Sequence, residues 1–506
     1  MNSENATNQP PAFSDFLQTF KTNMHNVFHQ REDIDRLSAS RGLPPYVMRE
    51  IMACNPLATF IPAEYGGRGM DPQESIAMVE AAAYESLALG LIFGINWALF
   101  LQPVAKYGRE EVKHSAFSGF LRERKMGGLM ITEPDFGSDA LHMQTSWREE
   151  GGICHLKGTK HWAGLTGWGD YWLLTARRQN ETGSLARDID FFVCDNNASG
   201  QRVVVEEFYN SLGLYMIPYG RNHIDVKIPE THRLVPQSTG VKMMLDLLHR
   251  SRMQFPAMAM GFLTRLLDEA TAHCRDRQVG GHSLLEYDQV QARLARIQSA
   301  VTVCSAMCIN TAERAGIEED LAPHGLEANA VKACITDLMH DASQSLLQLS
   351  GAMGYRLDHI AGRAVVDSRP FQIFEGSNDI LYAQIGETLV KQMKVAGEYH
   401  FATFLTRHPL TSLAADRLRG RLDFSLASAM PQRKLVELGQ VVSRIVALNL
   451  VVRLGERGFD PKRLETSLAT LEQDIFVKLA AYRHAHQTPR IEPEQERPAW
   501  QRFVRG

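Results

Sequence analysis

The feature that most constrains the fold is a periodicity that changes twice along one chain. Residues 13–125 place apolar side chains at helical spacing, with Phe13, Phe16, Leu17 and Phe20 on one face. Pro44-Pro45 and Asn55-Pro56 interrupt that pattern, and Gln73 to Tyr107 reads as two buried helices. Residues 126–235 switch to short β-rich runs: Ile153–Leu156, Tyr171–Thr175, Asp190–Cys194, Arg202–Glu206 and His223–Ile228. Glu149-Glu-Gly-Gly152 predicts a hairpin turn. From Val241 to about Val395 the helical period returns. This order is α+β, and the strand spacing predicts a small antiparallel barrel or sandwich rather than a parallel βαβ sheet. No G-x-G-x-x-G follows any of these runs, which argues against a Rossmann nucleotide site.

A chain of 506 residues is too long for one hydrophobic core. The expected units are a helical 1–125, a β domain at 126–240, a helical 241–395 and a basic helical extension at 396–506. In the extension, Leu435, Leu438, Val442, Ile445 and Val446 fall on helical spacing, and Glu465 to Tyr482 reads as another helix. Its apolar face predicts packing against this body or another subunit. The tail from Thr488 is Pro- and Glu-rich and is expected to be poorly ordered unless docked. Residues 407–506 carry 17 Lys and Arg against 11 Asp and Glu, a net +6; the whole chain is −4, so residues 1–406 are −10. The low total charge argues against nucleic-acid binding. Seven dispersed cysteines suggest reduced thiols and no metal cluster. Residues 1–14 hold no apolar h-region and no run approaches eighteen unbroken apolar residues, so a cytoplasmic protein without a membrane span is expected.

The candidate chemistry lies in Phe371-Gln-Ile-Phe-Glu-Gly-Ser-Asn-Asp-Ile380. Glu375 follows an apolar run, where poor hydration raises a carboxylate's pKa and makes it a better base near neutrality. Gly376 lets the backbone turn sharply or lie against a ligand. The plainer alternative is a helix N-terminus capped by Ser377 or Asn378, with Glu375 as a solvated flank.

Further motifs shift that balance. Met130-Ile-Thr-Glu-Pro-Asp-Phe-Gly-Ser-Asp139 resembles the TEP-x-x-GSD signature of the acyl-CoA dehydrogenase family, and Phe374-Glu-Gly-Ser-Asn378 resembles its Y-E-G-T-N segment. Between and around them, Ile61–Gly69, Leu156-Lys-Gly-Thr-Lys-His-Trp162 and Gln348–Tyr355 are similar to three further family segments, in the family's order. The resemblance spans roughly residues 10–395. It implies the family's fold, with a helical N-terminal domain, a central β-barrel domain and a C-terminal four-helix bundle. It also implies FAD as cofactor and a homodimer or homotetramer.

By the same resemblance, Glu375 is the base that removes the α-proton of an acyl thioester, and flavin N5 accepts the β-hydride. A second base position known in the family matches Ser251, which has no carboxylate, and this favours Glu375. Leu129, Ile131, Thr132, Gly137, Ser138, Trp162, Gly164 and Ser377 are the implied flavin contacts. Arg277, Gln348 and Gly351 are implied contacts to the dinucleotide of a neighbouring subunit's flavin. Ser138, Arg252 and Gly376 are the implied substrate contacts. Gly164 departs from the family, which commonly has Thr or Ser there with its hydroxyl at N5; Thr166 or a water is the expected substitute. The substrate is acyl-CoA or an acyl chain on a carrier protein, whose acidity the basic extension would complement. An electron-transfer flavoprotein or another acceptor would reoxidise the flavin. Gly164 also leaves open a flavin-dependent oxidase or monooxygenase on the same fold.

Overall fold

The computed structural model describes residues 12–484, 490 and 500–503. Its N-terminal part is helical. Phe13–His25 buries Phe20 and Met24. Pro72–Glu85 starts on Asp71, whose carboxylate accepts from the Gln73 and Glu74 amides, with Pro72 preset for the first turn. Ser86 ends that helix and caps Leu87–Gly94, in which every residue is buried. A π-helical stretch, Ile95–Leu101, carries the chain on to Gln102–Tyr107. Leu87–Tyr107 and Gln432–Glu456 are long and apolar enough by mean hydropathy to cross a membrane, but 89% and 72% of their apolar windows are buried inside the protein. Their apolarity matches burial between protein elements.

The central sheet has seven strands: β1 (Gly127–Met130), β2 (Ser146–Glu150), β3 (Ile153–His161), β4 (Tyr171–Arg178), β5 (Asp190–Asp195), β6 (Val204–Phe208) and β7 (Gly220–Pro229). The expected hairpin joins β2 to β3, with Gly151 and Gly152 at positive φ. The expectation of a wholly antiparallel sheet is corrected, because β1 and β2 both run parallel to β4. They lie end to end along one edge of β4: β1 pairs with residues 171–174 and β2 with 177–178, while β5 takes the other edge. The chain between them, residues 131–145, leaves the sheet as a loop. That loop carries the TEP-x-x-GSD motif. β1 itself lies outside the β-rich runs because its glycines serve packing. A Cβ on Gly127 would sit 2.6 Å from the Phe100 ring, and one on Gly128 would sit 2.9 Å from Trp172.

Four long helices, Gly240–Asp276, Asp288–Arg314, Gly325–Ser350 and Asn378–Ala396, form the C-terminal body. The extension adds Phe401–Arg407, Ser412–Leu418, Gln432–Glu456 and Pro461–Arg483. It packs on its own chain's body. The helices Asn378–Ala396 and Gln432–Glu456 cross at two glycines: a Cβ on Gly386 would meet the Leu435 carbonyl at 2.5 Å, and one on Gly439 would meet the Tyr382 carbonyl at 2.0 Å. Only glycine at both positions permits this backbone approach. The tail from Thr488 lies almost wholly outside the described residues.

Candidate active site

Two of the sequence motifs are joined by one buried ion pair. Lys160, on β3, is fully buried, and its Nζ donates to Glu133 Oε1 at 2.8 Å, to Thr175 Oγ1 at 3.0 Å and to the Ile131 carbonyl at 3.2 Å. Glu133 also accepts from the amides of Gln144 and Thr145. Burial lowers Lys160 to about 8, against the attraction of Glu133. The lysine of the Leu156–Trp162 segment thus ties the loop of residues 131–145 to the sheet, and His161 N–H adds a bond to the Thr132 carbonyl at 2.9 Å. A charge pair enclosed this fully is costly to form and costly to break, so it makes the loop's position specific rather than the fold especially stable.

The loop faces a cavity of about 240 Å³. Leu129, Ile131, Thr132, Gly137, Ser138, Trp162, Gly164, Arg252, Glu375 and Gly376 all line it, so ten of the sequence-derived candidates converge. Trp162 is no core tryptophan: it is 52% exposed, sits at φ +57° and leans on Tyr209 at 4.6 Å between ring centroids. Glu375 is likewise left-handed, at φ +54°. Two non-glycine residues in that sparsely populated region, both on one cavity, mark a site where backbone strain is retained.

Glu375 is half-buried as a residue, but its carboxylate is enclosed. Ser251 Oγ donates to Oε1 at 2.9 Å, whereas Oε2 is buried without a partner among the described residues. Burial raises the carboxyl above its ordinary range, opposed by the Ser251 hydrogen bond and by the charges of Arg252 and Lys332. The solvated-flank alternative therefore fails for Glu375. The helix does begin at Asn378, but Ser377, at its N-cap, makes no side-chain cap bond. Asn378 points inward, accepting from Lys332 Nζ at 3.1 Å and donating to Asp337 Oδ1 at 2.8 Å. Lys332 Nζ also donates to the Gly376 carbonyl at 2.9 Å, and burial lowers this lysine to about 7. Gly376, at φ +90°, has no room for a Cβ, which would meet Leu381 at 2.9 Å.

Other expectations fall differently. Arg252 lines the cavity, but its Nε donates to the Glu375 carbonyl at 2.9 Å and its Nη1 to Asn329 Oδ1 at 2.8 Å, so it holds the Glu375 loop. Gly164 lines the cavity beside Ile95, and a Cβ there would lie 2.6 Å from Ile95 Cδ1. Thr166 does not replace the missing hydroxyl. It is fully buried, its Oγ1 donates to the Ala163 carbonyl at 2.8 Å, and it is absent from the cavity wall. Arg277, Gln348 and Gly351 are exposed, and with Ser377 they stand outside the cavity. Sequence reasoning missed Ser251 as a hydrogen-bond partner, and also Lys332, Asp337 and Tyr219. None belongs to a quoted motif, and only their contacts across elements give them a place at the site. Far from these motifs, His25, His29 and Glu85 bring ligand atoms within 4.8 Å of one another, but Glu85 already meets His29 at 2.7 Å and Arg265 at 3.8 Å.

The helix–sheet–helix body thus holds an enclosed carboxylate and a sheet-borne loop on one cavity. Three family models match in succession: acyl-CoA dehydrogenase N-terminal domain over residues 15–123, middle domain over 128–226 and C-terminal domain over 238–390. The chain belongs to the acyl-CoA dehydrogenase family, FAD-dependent oxidoreductases acting on CH–CH bonds. It is 28% identical over 336 residues to the probable acyl-CoA dehydrogenase FadE25 of Mycobacterium tuberculosis, covering 66% of this chain and 84% of that protein. The acyl-CoA dehydrogenase of Bacillus anthracis solved with FAD superposes with a TM-score of 0.75 at 17% identity, over 94% of this chain and 88% of that one, a span that includes extension helices. The prolyl acyl carrier protein oxidase AnaB superposes with a TM-score of 0.66 at 18% identity, over 74% of this chain and 99% of that one.

Proposed function

We propose that the chain desaturates an acyl thioester between its α and β carbons, with Glu375 removing the α-proton. The observation that carries this is the Glu375 carboxylate itself: it lines the cavity, one oxygen is held by Ser251, and the other is buried with no partner among the described residues. An oxygen with no protein donor is free to accept a proton from substrate. Its raised pKa narrows the gap to a carbon acid, and the Ser251 hydrogen bond and the charges of Arg252 and Lys332 oppose that rise.

The cavity suits FAD's flat ring system. Trp162 offers an exposed aromatic face, Gly137 leaves open space where a Cβ would point, and Gly164 adds no side chain. Leu129, Ile131, Thr132 and Ser138 complete the cavity residues that would hold it, while Ser377, outside the cavity, would meet it only at its edge. FAD, when bound, supplies the hydride acceptor that no side chain can provide. Ser138 and Gly376 would flank the thioester, and Arg252 would keep the Glu375 backbone in register beside it. Arg277, Gln348 and Gly351, exposed outside the cavity, would reach the dinucleotide of a second copy's FAD in a homodimer or homotetramer. The units 1–125, 126–240, 241–395 and 396–506 are the working domains. An electron-transfer flavoprotein or another acceptor would complete the cycle.

Carrier-bound acyl chains are a second substrate class. The net +6 of residues 407–506 and the likeness to AnaB favour it, although Arg417, Arg433, Lys434, Arg444 and Arg457 already pair within the protein. The test is Glu375→Gln. It should retain the yellow flavin and lose about 10²–10⁴-fold in turnover of acyl-CoA with a dye acceptor, since an amide cannot take the proton. Near wild-type turnover would remove Glu375 as the base. Offering oxygen alone, and the same acyl chain on a carrier, separates oxidase from dehydrogenase and carrier from CoA.

A further inference from the structure

The C-terminal extension reaches into the support of the Glu375 loop through one side chain. Arg444, on the Gln432–Glu456 helix, is almost wholly buried. Its Nη2 lies 3.1 Å from Asp337 Oδ2, and its Nη1 lies 3.4 Å from the Tyr382 hydroxyl, which itself donates to Asp337 at 2.5 Å. The other carboxylate oxygen, Asp337 Oδ1, accepts from Gln372 Nε2 and from Asn378 Nδ2, both at 2.8 Å. Those two residues bracket Glu375. Lys332 then bridges Asn378 Oδ1 and the Gly376 carbonyl. The bonds in this chain are buried or part-buried, and Arg444, Tyr382, Gln372 and Asn378 converge on a single carboxylate. The backbone that it braces holds Glu375 in the left-handed region, a conformation that persists only where the surroundings impose it.

We infer that Arg444 is a positioning residue: it holds Asp337 so that Gln372 and Asn378 fix the backbone that aims Glu375 into the cavity. The inference rests on Glu375 being the base. It gives the extension a part in turnover, beyond covering the body. The glycine crossing at Gly386 and Gly439 lies on the same two helices and sets how deeply Arg444 can reach.

The test uses the full-length, FAD-loaded protein and four forms: wild type, Arg444→Met, Asp337→Asn/Arg444→Met and Arg457→Met. Arg457 also joins extension to body, at Glu313, but touches none of these residues. Two quantities are read: the kcat–KM split on an acyl-CoA with a dye acceptor, and amide exchange by mass spectrometry over residues 371–378 against the rest of the chain. Arg444→Met is expected to lower kcat roughly 10–100-fold while KM stays within about threefold, because misaiming a base weakens the transition state more than substrate binding. Amides of residues 371–378 should exchange faster while the body helices keep their protection.

The double variant leaves no unpaired buried charge, and the remaining carbonyl at 337 still accepts from Gln372 and Asn378. It should fall between wild type and Arg444→Met on both readouts. Arg457→Met should match wild type. Wild-type kcat and loop exchange in Arg444→Met overturn the inference, as does an equal loss in Arg457→Met or a rise in exchange throughout the body. If Arg444→Met does not fold, wild-type kcat and loop exchange in the double variant overturn it. Loop exchange is read without turnover, so failure of Glu375 as the base, seen in Glu375→Gln, is distinguishable from failure of the positioning claim.

Discussion

Ser251→Ala removes the one side-chain donor on the Glu375 carboxylate among the described residues. In the wild type, Ser251 Oγ lies 2.9 Å from Oε1, while Oε2 is buried without a partner among the described residues. Losing a hydrogen bond to a charged acceptor costs about 1.5–3 kcal/mol. The ionised form loses more than the neutral acid, whose carbonyl oxygen also accepts from a hydroxyl, so part of that cost becomes a further rise of the already raised carboxyl, with the full cost of about 1.5–3 kcal/mol, at 1.36 kcal/mol per unit, as its upper bound. The sign follows from the chemistry. A base works as the carboxylate, so activity is lost as pH falls through its pKa, and a higher pKa moves that acid limb to higher pH. Water can reach the free cavity and replace part of the lost bond, so kcat/KM should show the lower end of the range. The kcat profile, which reports the enzyme–substrate complex, should show more. The assay is kcat and kcat/KM against pH, with flavin content checked by absorbance. The plateau above the limb should remain within a few fold of wild type, because Ser251 touches the carboxylate and holds no part of the loop backbone. An acid limb that stays in place would show either that Glu375 does not set it or that Ser251 does not bond the ionised form.

Gly439→Ala should destabilise the protein by at least about 1–3 kcal/mol, since the new Cβ would sit 2.0 Å from the rigid Tyr382 carbonyl; an unchanged thermal midpoint would rule out the close helix crossing. Gly164→Thr must displace Ile95 Cδ1, 2.6 Å from the ideal Cβ, so it should lower flavin content together with turnover, whereas Ile95→Ala/Gly164→Thr should recover flavin; equal occupancy in all three proteins would show that Ile95 does not crowd the site. If carrier-bound chains are the substrate, KM for them should rise with salt more steeply than KM for acyl-CoA, because exposed charges are screened beyond about 10 Å at 0.1 M. Parallel salt dependence would leave the basic extension without a recruiting role.

How far the sequence reached is clearest in the two segments that meet at the cavity. The poor hydration and left-handed turn of Glu375 were legible because its neighbours, Phe371, Ile373 and Phe374 before it and Gly376 after it, already imply them, properties that travel with local sequence. Ile131, Thr132, Gly137, Ser138 and Trp162 were legible through motif order, and the alternation of helical and β periods along the chain implied the helix–sheet–helix body. Registry across elements was not legible. That β1 and β2 share one edge of β4, so that residues 131–145 leave the sheet between them, depends on pairing partners more than forty residues away at one end. That Lys160 pairs with Glu133, that Ser251 donates to Glu375 and that Arg444 reaches Asp337 depends on burial that no window of sequence contains. Gly164 shows the same division: its departure from the family's pattern is plain in the sequence, but its neighbour Ile95, on a π-helical turn, comes beside it only once the N-terminal helices pack on the sheet. Local chemistry and periodicity are properties of neighbours along the chain. Desolvation, hydrogen-bond partnership and close approach are properties of neighbours in space, and the fold decided those.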